Sequence, residues 1–219
     1  MKDNGLLVQY FNANTPADQT LWAKAVKDAA TLKKLGATAV WFPPATKGAA
    51  GKDDRGYAPY DLYDLGEFNQ KGSVGTRYGT KKEYLEAIDA MKAQGINVYA
   101  DIAVRQKLGA DSVEKVTAAD FNAKDIPQMI GNKKIVGALS KFTFPGRKSK
   151  YSKFKWNWNH FAGIDWQQDD FKRRVCELSG MTETEAEKKY KLSKYDYIIG
   201  SELDLYNQEV YDELMAWAK

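Results

Sequence analysis

Thr80-Lys81-Lys82-Glu83-Tyr84-Leu85-Glu86-Ala87-Ile88-Asp89-Ala90-Met91-Lys92-Ala93-Gln94-Gly95-Ile96-Asn97-Val98-Tyr99-Ala100-Asp101 is the stretch on which the fold turns. Thr80 with Glu83 three residues later forms a capping box, which starts a helix. Tyr84, Leu85, Ile88 and Met91 recur at helical spacing, Gly95 supplies the left-handed stop, and Ile96 to Val104 reads as the next strand. The same order occurs upstream. Leu6 to Phe11 reads as a strand that ends in the turn-rich Asn12-Ala13-Asn14-Thr15-Pro16. Thr15 is predicted to cap a helix with Pro16 at its first position and Asp18 three residues on. Its stripe is Leu21, Trp22, Ala25, Val26, Ala29, Leu32 and Leu35, with Gly36 as the stop. Ala39 to Phe42 is then a strand halted by Pro43-Pro44. Strands joined by single helices pair in parallel through right-handed crossovers, so the class is α/β. Ligands of such sheets gather at the strands' carboxyl ends, here Tyr10 to Asn14, Phe42 to Thr46 and Asp101 to Lys107.

From about Lys107 to Tyr195 the periodicity fades, and aromatic and basic residues dominate. This segment is expected to be an inserted subdomain. Trp156 and Trp158 alternate around Asn157 as a strand would, which favours core packing of the insertion over a sugar platform. Thr182 to Lys191 is charged and helix-prone, a solvated face. Asn207 is predicted to cap a last helix carrying Val210, Tyr211, Leu214 and Trp217.

Composition narrows the function. The 219 residues carry 33 Lys plus Arg against 29 Asp plus Glu, a formal charge of +4, too small to imply a nucleic-acid partner. Lys148, Lys150, Lys153 and Lys155 flank Tyr151 and Phe154 in a superficially nucleic-acid-like pattern, but Glu183, Glu185 and Glu187 balance them. Gly146-Arg147-Lys148-Ser149 does not follow a strand as a phosphate-binding loop would. The one cysteine, Cys176, allows no internal disulfide, and the one histidine, His160, allows no His-pair metal site. His160 sits in an aromatic cluster and reads as structural. Asp61 and Asp64 could be taken for a carboxylate dyad, yet their spacing is also that of turn-capping aspartates, the favoured reading. No apolar run is long enough for a membrane span, and the start lacks secretory-signal features, so a cytoplasmic location is expected.

Several stretches, in order, resemble the α-amylase family of glycoside hydrolases, particularly its bacterial liquefying and cytoplasmic branch. They are Gly56-Tyr57-Ala58-Pro59-Tyr60-Asp61-Leu62-Tyr63-Asp64-Leu65-Gly66-Glu67-Phe68, Tyr78-Gly79-Thr80, Ile96 to Asp101, Phe144-Pro145-Gly146-Arg147 and Phe154-Lys155-Trp156-Asn157-Trp158. The resemblance implies a partial (β/α)8 TIM barrel, about its first three to four βα units, with an inserted, mostly β subdomain after strand three. The expected divisions are 1–106 for the barrel units, 107–195 for the insertion and 196–219 for a return segment and helix of the barrel. A whole barrel needs about 250 residues. The resemblance also implies that the catalytic Asp and Glu lie beyond Lys219, so no catalytic residue is assigned and this chain alone is not expected to cleave a glycosidic bond, which takes two carboxyl groups about 5 Å apart in retaining enzymes.

The substrate-binding residues implied are Tyr57, which would stack on a sugar or else pack under the insertion, Asp101, and Gln106, which stands where the family has a histidine. The family's calcium positions are eroded to Arg105, Ala162 and Glu202, with Asp196 kept, so the calcium is expected to be lost. Arg105 is expected to replace it by pairing with Asp196 or Glu202, pinning the insertion to the barrel strands. An α-glucan is the implied ligand. A homo-oligomer or a partner chain completing the barrel is implied by exposed sheet edges; the alternative is a non-catalytic glucan-binding or protein-interaction remnant.

Overall fold

A computed structural model describes residues 4–121, 129–169, 172–177 and 199–219. The chain divides into two compact units, Met1–Val104 with Pro145–Tyr151, and Arg105–Phe144 with Ser152–Lys219.

The first unit is built on three short strands, β1 (Leu7–Gln9), β2 (Ala39–Phe42) and β5 (Asn97–Ala100), ordered β1-β2-β5. Both pairings are parallel, with Val40 opposite Val8 on one side and Val98 on the other. Helix α1 (Leu21–Lys34) links β1 to β2, and α2 (Lys81–Ala93) precedes β5. The α/β reading therefore holds. The mixed helix and sheet content fits part of a TIM-type barrel, and the described strands do not close one.

Local chemistry explains the boundaries. The Thr80 hydroxyl accepts from the Glu83 amide, and the Glu83 carboxylate accepts from the Thr80 amide at 2.8 Å, so the capping box forms as the sequence predicts. Gly36 (φ +87°) and Gly95 (φ +68°) follow the two helices in the left-handed region, a backbone conformation that residues with a Cβ rarely adopt. The first helix start differs from expectation. Its N-cap is Thr20, whose amide and hydroxyl both donate to Asp18, while Thr15 accepts from the Asn12 amide and closes the turn after β1. Pro16 is thus in a loop, because the Asn12–Thr15 turn already uses the groups a cap would need.

The stripes bury a narrower set than periodicity suggests. Trp22, Ala25 and Ala29 of α1 and Tyr84, Ala87 and Met91 of α2 meet Val40 and Phe42 of the sheet, while Leu35 is 71% exposed. The Trp22 ring sits 4.8 Å from Tyr84 and 5.2 Å from Phe42, centroid to centroid, within the range of favourable aromatic pairs. A small antiparallel hairpin, β3 (Lys47–Gly48) with β4 (Pro59–Asp61), carries the loop that holds Tyr57.

The second unit is one six-stranded antiparallel sheet. Its strands are β6 (Gln106–Lys107), β7 (Ser112–Phe121), β8 (Met129–Lys141), β9 (Phe161–Gln167), β10 (Lys172–Glu177) and β11 (Ser201–Leu203), ordered β6-β11-β9-β10-β7-β8. Helix α3 (Gln208–Trp217) is capped by the Asn207 side chain, which accepts from the Glu209 amide. Val116, Ala118, Val136, Ala138, Phe142, Trp156, Phe161, Ile164 and Leu203 are buried, so Trp156 packs in the core, and Trp158 is 37% exposed. The segment read as a return to the barrel supplies β11 to this sheet, pairing with β6 and β9. Thr182 to Lys191 lies outside the described residues.

Candidate functional site

The carboxyl ends of the parallel strands hold two of the three anticipated binding residues. Asp101 directly follows β5, and its amide donates to the Phe42 carbonyl at 3.0 Å, extending the β2–β5 ladder by one bond. Tyr57 reaches it from the β3–β4 loop, its hydroxyl donating to Asp101 Oδ2 at 2.6 Å. Burial and the neighbouring carboxylate push the Tyr57 phenol up, so it stays a protonated donor at any physiological pH. The hydroxyl is thus fixed while the residue remains 44% exposed. An anchored, exposed aromatic ring beside a carboxylate can stack on a sugar and accept from its hydroxyls. Gln106 lies half-buried on β6 and belongs to the second unit.

The turn after β1 lines a concavity of about 700 Å³ with Tyr10, Asn12, Asn14, Asp18 and Lys24 among its walls. Tyr10 donates to Asp28 at 2.6 Å.

Behind the Tyr57 loop lies a cluster of charges. Arg147 Nε donates to Asp61 Oδ2 at 2.8 Å, with both side chains 1% exposed. Gln70 bridges Asp61 and Asp64, donating to each at 3.0 Å. Asp64 Oδ1 accepts from the amides of Gly66, Glu67 and Phe68, and Asp61 Oδ1 from Tyr63. The two aspartates are therefore turn caps, as their spacing indicates. Their buried cationic partners, Arg147 and Lys47, were not legible from spacing.

The calcium implied by the resemblance does not fit the residues present. Arg105 places Nη2 2.9 Å and Nε 3.0 Å from Glu202 Oε1, and Ala162 offers a methyl where a ligand oxygen would be needed. Among the described residues no three His, Cys, Asp or Glu side chains cluster as a metal site would require. Asp196 lies outside the described residues. Arg105 and Glu202 both belong to the second unit, so their pair is internal to it and corrects the expectation that it ties insertion to barrel strands. His160 is structural: its Nδ1 accepts from the Asn157 amide at 3.0 Å, which leaves the Nε2 proton to face Glu209 at 3.0 Å.

A parallel βα sheet with loop-borne aromatic and carboxylate groups at its strand ends, joined in sequence to an antiparallel unit, fits part of a β/α-barrel type of fold. A truncated alternansucrase from Leuconostoc mesenteroides matches with a TM-score of 0.50 at 23% identity, covering 67% of this chain and 14% of that one. A structure of alternansucrase in complex with isomaltononaose gives the same score and identity, with 67% and 13% coverage. These likenesses speak to fold alone. In sequence the chain is homologous to α-amylases over nearly its whole length. It is 46% identical to an α-amylase of Geobacillus stearothermophilus, 42% to one of Bacillus licheniformis and 36% to a cytoplasmic α-amylase of Escherichia coli, over 98–99% of its length. The chain spans 39–44% of the length of these relatives. No family model matches it. No helix among the described residues is long and apolar enough to cross a membrane.

Proposed function

We propose that this chain is the glucan-holding portion of an α-amylase-type hydrolase of starch or maltooligosaccharide metabolism, working in the cytoplasm and not hydrolysing by itself. The observation that carries this reading is the Tyr57–Asp101 pair, an exposed ring whose hydroxyl is locked 2.6 Å from a carboxylate at the end of a parallel strand. Tyr57 stacks on one glucose ring and Asp101 accepts from a sugar hydroxyl. The strands β1, β2 and β5 are the first three of a barrel, and the antiparallel unit is its insertion. Leu7 and Tyr99, 54% and 59% exposed on the two outer strands, offer edges to a second copy or a complementary chain.

The test sets turnover of a chromogenic maltooligosaccharide beside calorimetric binding of maltoheptaose to the purified chain. Binding without turnover is the expected result. Turnover would overturn the non-catalytic reading, and absence of binding would favour a protein-interaction remnant.

A further inference from the structure

Lys47, on the β3–β4 hairpin, is wholly buried, its side chain 0% exposed. Its ammonium faces four backbone carbonyls of a single loop: Val74 at 2.6 Å, Ser73 at 2.7 Å, Phe68 at 3.2 Å and Gly75 at 3.4 Å. Asp64 Oδ2, also fully buried, lies 3.6 Å away. An ammonium has three N–H donors, so four carbonyls exceed what it can serve singly. A ring of carbonyls converging on one point is how proteins replace the hydration shell of a monovalent ion. A divalent ion is a poor fit, because it seeks six to eight oxygens with several carboxylates, and here Asp61 is already matched by Arg147.

We propose that the loop spanning Phe68 to Gly75 is a monovalent-cation site whose resident ion is the chain's own Lys47 ammonium. The tether fixes the cation at one equivalent, so the winding of the loop, and the hairpin that carries Tyr57, do not depend on the salt around the protein. Burial works against the charged form of Lys47, and Asp64 works for it. The nearby Asp61, Asp64, Arg147 and Lys47 charges cancel as a set, which lets all four remain buried. This inference is independent of whether the chain binds glucan.

The test removes the tether. Lys47→Ala should lower the melting midpoint by about 5 °C or more, and potassium or ammonium chloride should restore much of the loss in a saturable way. Choline chloride at equal ionic strength should not. Lys47→Met, which fills the stem's space without a charge, should be destabilised and indifferent to the cation. A Lys47→Ala protein whose midpoint responds alike to all three salts would overturn the proposal, as would a Lys47→Met protein that melts like the parent. If Lys47→Ala does not fold, the unaltered chain still decides: a slowly exchanging side-chain ammonium resonance from Lys47 at neutral pH supports the site, and a neutral amine refutes it.

Discussion

Arg147 and Asp61 are 86 residues apart in sequence, yet the guanidinium Nε donates to the carboxylate at 2.8 Å with neither side chain reaching solvent. Arg147 Nη1 also donates to the Lys150 carbonyl at 2.6 Å, so the same group folds the 145–151 segment on itself. Breaking a buried pair from one side leaves a stranded charge, so Arg147→Met should cost about 3–5 kcal/mol in urea denaturation. The double variant Asp61→Leu with Arg147→Met should recover most of that loss, since an apolar replacement of both partners is often neutral.

Gly146 allows the segment to lie against its neighbours. A Cβ there would come within 2.5 Å of the Asn69 carbonyl and 2.6 Å of Gln70 Cγ. Gly146→Ala should therefore destabilise by about 1–3 kcal/mol, read as a drop in melting midpoint. An unchanged midpoint would show that the backbone shifts without cost.

Tyr57 tests the binding reading. Tyr57→Phe keeps the ring and loses the bond to Asp101, and should weaken maltoheptaose binding by roughly 2- to 12-fold, the worth of one hydrogen bond. Tyr57→Ala should weaken it further. Equal affinity of all three proteins in calorimetry would remove Tyr57 from the site.

Glu67 sets the acid behaviour of the first unit. Partial burial raises its carboxyl, but hydrogen bonds from Lys150, Tyr151 and Lys81 outweigh this and hold it at about 2 against an ordinary 4.5. A depressed carboxylate stabilises fully above its unfolded value and loses that contribution as pH falls toward its folded value. Stability should therefore decline between about pH 5 and 2, and Glu67→Gln should flatten that limb in pH-dependent melting.

Chelation is the simplest measurement. With Arg105 paired to Glu202 and Ala162 lacking a donor, excess EDTA should leave the melting midpoint unchanged. A fall reversed by calcium would show that a metal is held after all.

Much of the first unit was legible because its signals are local. The Thr80–Glu83 box, the glycine stops and the alternating helices and strands each depend on neighbours within a few residues. Thr15 misled because a turn and a cap use the same residue types, and only the hydrogen bonds of Asn12 and Asp18 decide between them. The second unit was harder. Strands β7 and β8 pair with register breaks between Ala118 and Asp120, which interrupts the two-residue alternation, and Ile135 is 72% exposed on the outward side. Lys107 shows the same limit. It reads as a surface cation, yet it is 1% exposed with its ammonium 4.9 Å from the Trp156 ring and 5.4 Å from Phe144. Tyr57 and Asp101 were singled out by family motif, and the structure joins them by a hydrogen bond; Lys47 and Arg147 were missed because their partners are remote in sequence.

The Arg147–Asp61 contact joins two residues that the ribosome delivers far apart in time. Asp61 emerges long before its counter-ion, and at about 5–20 residues per second the wait is on the order of 4–17 s. For that interval Asp61 has the Gln70 amide but not Arg147 to pair with, and the buried ion pair can form only once the segment that interrupts the antiparallel sheet's own sequence has been made.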